Sequence, residues 1–324
     1  MALMTVTPGV RRTTTTFGPN WFASVMGTAI VAIVLAPHLP TVALAVWVMA
    51  ASLLGVLVVG VVLHERSYLD HPVQQHFYGA PAMGLMAVGA GAVITQGHEP
   101  VAVLIAAVLW VLGTTLGVVT ALTVPRRTRG ADLASVGPWW LMPVVPPTVS
   151  ATTGALFVPL LPGGPLRAAF LLLCYALLVL SLVGSARVGR LLVLRVRQHG
   201  WGDPAMAATW LIVLGPLGQS VTAVHHLGEV GPSSTWLTLG YGVPVLTFAL
   251  AWMAVAIARV WRDRPPFGLT WWSFTFPVGT VTTAASGLGV DVLAGALTGI
   301  VVGAWVVVGL GTLRGALDGS LLRG

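Results

Sequence analysis

The chain of 324 residues contains no lysine, only nine acidic residues and a single cysteine. Without lysine, no Schiff base to retinal or pyridoxal can form and no Walker-A phosphate loop can be built. Cys174 alone supports neither an internal disulfide nor a cysteine-based metal site. No carboxylate lies in the middle of an apolar run. Glu65, Asp70, Asp132, Asp203, Asp263 and Asp318 fall in one set of gaps, and Glu99, Glu229 and Asp291 in the other. An acid at mid-membrane normally marks a cation path or a proton relay, and rings of Asp or Glu select cations. Cation conduction is therefore disfavoured.

What is present is apolar: 56% of the residues are hydrophobic and 8% charged, with mean hydropathy +0.91. A soluble domain carries roughly a quarter charged residues. Ten runs reach the roughly 20 residues that cross a bilayer as helix: 17–36, 41–63, 77–95, 101–124, 138–161, 166–186, 204–227, 236–258, 269–288 and 291–313. The first is too long for a signal-peptide core. Fifteen of the sixteen arginines, beginning with Arg11 and Arg12, fall in every second gap, and only Arg167 lies on the opposite side. By the positive-inside rule both termini are cytoplasmic in a multi-pass cell-membrane protein. The same pattern explains the isoelectric point near 11.0 without nucleic-acid binding.

The linkers on the outer side are short, which makes neighbouring helices antiparallel hairpins. The expectation is one all-α transmembrane domain over residues 1–324, with ten helices in five hairpins. Arg187–His199 is read as an extension of the sixth helix along the membrane surface. Odd-numbered runs hold more Gly, Pro, hydroxyls and aromatics, and are expected inside, with even runs outside. Pro143, Pro146, Pro147, Pro216 and Pro277 sit in odd runs. There each is expected to kink its helix by freeing a backbone carbonyl, which is tolerated where the backbone faces protein or a watery cavity.

Within the runs, polar groups are few and periodic. Trp272, Phe276, Thr280 and Thr283 share a helical face, as do Trp21, Ser24 and Thr28; Gln219 pairs with Thr222, and Thr148 with Thr152. As candidate pore-lining residues they offer neutral donors, which hold anions weakly and suit passage. The alternative is that each hydroxyl bonds its own i−4 carbonyl or a neighbouring helix. His225 and His226 diverge on a helix and are read as interfacial, so neither a metal nor a cofactor is expected. Gly295, Gly299 and Gly303, and Gly113 with Gly117, form small-residue ridges that pack within a subunit or between subunits. An enzyme would need a nucleophile–base cluster. Asp70, His71 and His76 form the single candidate, and His76 is also the best candidate for proton coupling.

The stretch Phe17-Gly18-Pro19-Asn20-Trp21-Phe22-Ala23-Ser24-Val25-Met26-Gly27-Thr28 resembles the opening signature of the tellurite-resistance/dicarboxylate transporter family. That family includes plant slow anion channels, fungal malate permeases and sulfite efflux pumps. Phe77–Gly84, Trp140–Pro147 and Trp271–Pro277 look like the same family, and Thr28-Ala29-Ile30 departs slightly from its usual Thr-Gly-Ile. The resemblance implies five hairpins about a quasi-fivefold axis, a central pore lined by odd helices, and a homotrimer. It also implies a pore-occluding phenylalanine at Phe276, with Phe274 as the nearby competitor. The implied substrates are small inorganic anions or C4-dicarboxylates. A proton-coupled malate-type carrier and a sulfite exporter remain open beside a channel.

Overall fold

The computed structural model describes residues 18–64, 67–232 and 235–321. Phe17, Glu65, Arg11, Arg12, Arg66 and Arg323 lie outside the described residues. Among the described residues every element is helical. Ten α-helices run in chain order: α1 (Phe22–Leu35), α2 (Pro40–His64), α3 (Gly79–Gln96), α4 (Pro100–Arg127), α5 (Pro146–Gly154), α6 (Pro165–His199), α7 (Leu214–Val230), α8 (Thr235–Asp263), α9 (Phe276–Gly287) and α10 (Asp291–Leu317).

The odd helices are shorter than their apolar runs because each begins with a stretch of 3-10 helix. These are Pro19–Trp21 before α1, Gln74–Tyr78 before α3, Pro138–Leu141 before α5, Pro204–Val213 before α7 and Leu269–Phe274 before α9. A further 3-10 stretch, Ala155–Leu160, follows α5. Among the described residues seven helical stretches are long and apolar enough by themselves to cross a bilayer. Runs one, five and nine are divided by these 3-10 segments, so α1, α5 and α9 are too short to do so as single α-helices.

The prolines explain the divisions, though differently from the expected kinks in continuous helices. Pro146 and Pro147 open α5, Pro277 is the second residue of α9 and Pro216 the third of α7. In a helix's first turn the backbone N–H has no intrahelical partner, so proline removes nothing there. Pro143 sits in the turn between Leu141 and α5. Carbonyls released at the breaks find side-chain donors. Ser181 Oγ on α6 donates to the Val144 carbonyl (2.7 Å), and Trp252 Nε1 on α8 donates to that of Trp210 (3.0 Å). Ser273 Oγ donates to the Ala208 carbonyl (2.5 Å). Such partners are required where no water reaches the backbone.

Successive helices pack as pairs: α1 on α2, α3 on α4, α5 on α6, α7 on α8 and α9 on α10. The odd helices also touch each other in sequence, α1–α3–α5–α7–α9, and α9 packs back on α1. Close approach depends on glycine. A Cβ on Gly79 would strike the Met142 carbonyl, and one on Gly218 the backbone of Thr280. Burial follows the same division. The span from Pro204 to Val230 has 83% of its most apolar window buried, against 22% for that of α6.

Tryptophans bind the outer helices to the inner ones. Trp47 on α2 donates to the Val88 carbonyl of α3 (2.8 Å), Trp110 on α4 to the Ser150 carbonyl of α5 (2.9 Å), and Trp305 on α10 to Thr28 Oγ1 of α1 (3.1 Å). α6 continues unbroken through Arg187–His199. Two arginines near its end and that of α8 are buried. Arg195 donates to the Gly200 carbonyl (2.5 Å), while Arg259 pairs with Asp263 (2.7 Å), donates to the Gly202 carbonyl (3.2 Å) and lies over Trp201. Topology alone does not account for those two.

Candidate functional site

Two cavities lie end to end among the odd helices, and one side chain borders both. The first, about 40 Å³, is surrounded by the broken segments. Ala23 and Met26 come from α1, Phe77 and Met83 from the α3 region, and Met142 and Val145 from the turn before α5. Ile212 and Pro216 flank the start of α7, and Trp272, Phe276 and Pro277 the start of α9. Its walls are mainly apolar, and it has room for a few waters. The second cavity, about 440 Å³, is walled by α1, α3, α5, α7, α9 and α10. That volume is in the range of small-molecule sites.

Phe276 lines both cavities and is 5% exposed. It is the first residue of α9, directly after Thr275, whose hydroxyl donates to the Trp272 carbonyl (2.7 Å). The ring therefore stands on a helix terminus beside a break. Phe274 points elsewhere: its ring lies 5.6 Å from Trp271, it packs against buried Ala207, Ala208 and Val260, and it lines neither cavity.

Of the candidate lining residues, Trp272 borders the small cavity, and Thr152, Gln219, Thr222 and Thr283 the large one. Trp21, Ser24, Thr28, Thr148 and Thr280 border neither. On α1, Ser24 donates to the Trp21 carbonyl (2.7 Å) and Thr28 to that of Ser24 (2.8 Å), while Thr28 also receives Trp305. Thr28 is thereby tied to α10. Thr280 is fully buried and bonds the carbonyls of Pro277 (2.7 Å) and Leu214 (3.3 Å), tying α9 to α7.

The hydroxyls that do face the large cavity bond backbone carbonyls, the alternative the sequence left open. Thr152 donates to the Thr148 carbonyl (3.0 Å), Thr153 to that of Val149 (2.8 Å) and Thr282 to that of Val278 (3.1 Å). Thr222 bonds the Gly218 carbonyl (3.1 Å) and lies 2.9 Å from Thr283 Oγ1. A hydroxyl has one proton, so these groups present lone pairs to the cavity. Gln219 differs. It is buried at the wall, and its amide forms no hydrogen bond among the described residues. His225 and His226 join it there. His226 Nδ1 lies 3.5 Å from the Thr152 carbonyl, and His225 Nε2 lies 3.5 Å from Glu229.

The wall histidines were missed as site residues, although Gln219, Thr222 and His226 sit at i, i+3 and i+7 on one face of α7. Among the described residues no arginine lines either cavity, and Asp291 supplies the one carboxylate. His76 lies apart: it is buried, stacked on Trp140 at 4.8 Å, and borders neither cavity. His71 is exposed, and its Nδ1 accepts from the Val73 and Gln74 amides, so it organises a turn. Among the described residues no group of three His, Cys, Asp or Glu side chains is arranged to hold a metal.

Apolar helices enclosing two nearly uncharged cavities that share one aromatic side chain are the architecture of a multi-pass membrane transport protein. The sequence matches the voltage-dependent anion channel (SLAC1) family over residues 16–313, and the chain belongs to that family. It is thus an anion channel or transporter, of the family its motifs resemble. It is 26% identical to the sulfite efflux pump SSU1 of Arthroderma otae over 90% of this chain and 88% of that protein. It is 28% identical to an uncharacterized transporter of Methanocaldococcus jannaschii over 83% of this chain and 82% of that protein. The sulfite efflux pump SSU1 of Trichophyton rubrum is 26% identical, over 84% of this chain and 82% of that one. The family and these relatives are channels and transporters, not enzymes.

Proposed function

We propose that ten helices cross the cell membrane as five hairpins around a central pore, with both termini cytoplasmic, and that small anions pass through this pore past a gate at Phe276. The observation that carries the reading is the position of that ring, which borders both cavities. A bulky apolar plug over an apolar constriction keeps a narrow pore dry, and its rotation admits water and ions. The break at Thr275 gives the ring a place to turn. Trp272, Gln219, Thr222, Thr152 and Thr283 line the path, with Gln219 supplying its uncommitted donor and His225 and His226 beside it on the wall. The arginine distribution supports the orientation. The family resemblance suggests a homotrimer. Among the described residues nothing lies within 4 Å of where a Cβ on Gly295, Gly299 or Gly303 of α10 would stand, which suits a subunit or lipid contact, whereas Gly113 and Gly117 pack on α3 and α5.

A second reading, a sulfite exporter, is favoured by the relatives that bear that name. Purified protein in liposomes, offered chloride, nitrate, sulfite and malate with and without a pH gradient, tests both. Fast electrogenic flux of several anions supports a channel. Saturable, gradient-driven flux of sulfite alone sinks the channel and supports the exporter. A malate-type coupled carrier requires a titratable group on the path. His76 is off it, which leaves His38, His225, His226 and Asp291 on the cavity wall.

A further inference from the structure

We propose that the arginine-bearing end of the groove between α4 and α6 binds an anionic phospholipid. α4 and α6 each pack on α5, and a groove of about 480 Å³ lies between them. Arg126 and Arg129, at and just beyond the end of α4, meet Arg187 of α6 at this groove. No acidic residue lines it, and none of the three guanidinium groups enters an ion pair or side-chain hydrogen bond among the described residues. The rest of the wall is largely apolar, with Leu122, Leu180 and Val183 leading away from the arginines along the two outer helices. Leu122 and Val183 are exposed on the surface of the chain.

These features together select the ligand. Guanidinium groups bind phosphate through paired N–H donors. A soluble anion would use the arginines and leave the apolar wall bare. A zwitterionic lipid brings its own ammonium, which competes with them. A lipid of net negative charge satisfies both parts of the groove, as basic pockets between membrane helices commonly do. Elsewhere arginines are used otherwise. Arg195 and Arg259 are bonded internally, and among the described residues the comparable groove between α6 and α8, about 560 Å³, has Arg197 as its one charged residue amid aromatic, aliphatic and hydroxyl side chains. Arg126 and Arg127 also complement the carbonyl end of α4, a role that would not distinguish one lipid from another. The proposal rests on the membrane-spanning reading and not on the gate.

Native mass spectrometry of the detergent-solubilised protein, titrated with phosphatidylglycerol or phosphatidylcholine, tests it. The wild type is expected to retain phosphatidylglycerol at least about tenfold more tightly. R126Q/R129Q/R187Q is expected to remove that preference, while R197Q keeps it. Leu122→Trp, which fills the apolar part and leaves every arginine in place, is expected to weaken phosphatidylglycerol binding too, and carries the test if the triple variant does not fold. Equal retention of the two lipids by the wild type overturns the proposal. So does an unchanged preference in the triple variant, or full displacement by equimolar inorganic phosphate, which marks a free-anion site. A loss of subunits in the triple variant also overturns it, since the groove is then a contact between copies.

Discussion

α3 and α4 are adjacent and both apolar, yet they live in different surroundings. The α3 span has 78% of its most apolar window buried, and α4 28%. Mean hydropathy does not separate inner from outer helices in the expected way; the outer one is the more hydrophobic, at 2.4 against 1.5. In a soluble protein the most apolar helix is the most buried. Here the surface of the chain meets lipid, which is as apolar as leucine and gives no drive to hide it. The inner helices spend their sequence on glycines for close approach, prolines for breaks and hydroxyls for released carbonyls. That division of labour predicts that inner substitutions alter passage and packing, and outer ones mainly attachment.

The largest effect is expected at Phe276. Phe276→Ala joins the two cavities, and anion flux into liposomes should rise by at least about tenfold, equivalent to lowering the barrier by about 1.4 kcal/mol. Phe274→Ala, two residues away on the packed face, should leave flux near the wild-type level. Equal flux for Phe276→Ala and wild type would remove the gate.

Gly218→Val comes next. The added side chain meets the Thr280 backbone, which has no rotamer to yield, so a loss of about 3 kcal/mol is expected, at the upper end for overpacking. Thermal unfolding in detergent measures it. Gly299→Val on α10 enters open space and should leave the unfolding midpoint unchanged. A similar drop in both would erase the contrast between inner and outer glycines.

Within the large cavity, Gln219→Leu should weaken apparent anion affinity by about fivefold, since it removes an uncommitted donor from the path; the net contribution of one hydrogen bond is about 1 kcal/mol. Thr222→Val should change it less, because the hydroxyl proton is already engaged at the Gly218 carbonyl or with Thr283. Concentration dependence of flux separates the two. If Thr222→Val is the more damaging, the hydroxyls rotate to serve the anion and Gln219 is structural.

Much of this organisation was legible from residue types. The ten apolar runs correspond to ten helical regions, and the proline-rich odd runs to buried ones, because breaks and close contacts have chemical requirements visible in sequence. The positions of Trp21, Ser24 and Thr28 were not legible. Helical periodicity shows that they share a face, but the neighbour that face meets depends on α10, whose Trp305 lies far along the chain. Nor does periodicity reveal where a hydroxyl proton goes. Thr152 could in sequence serve as a donor to the pore or to its own i−4 carbonyl, and only the structure shows that it bonds the Thr148 carbonyl. His225 and His226 showed the opposite problem: a pair unsuited to a metal was set aside, although the face shared with Gln219 already placed His226 beside it.

The smallest effect tests the join between the inner and outer helices. Trp305 donates its indole N–H to Thr28 Oγ1, which itself donates to the Ser24 carbonyl. Trp305→Phe keeps most of the apolar contact and removes one hydrogen bond, leaving Thr28 with its own donor still used. The expected loss is about 1 kcal/mol, read as a small fall in the unfolding midpoint with anion flux little changed. Trp236, 83% exposed at the start of α8, supplies the comparison, and Trp236→Phe should not move the midpoint. If the two substitutions behave alike, the indole bonds are incidental and the outer helices are held by packing alone. If Trp305→Phe also raises flux, α10 does more than cover the inner helices, because the position of α1 against α9 then depends on it.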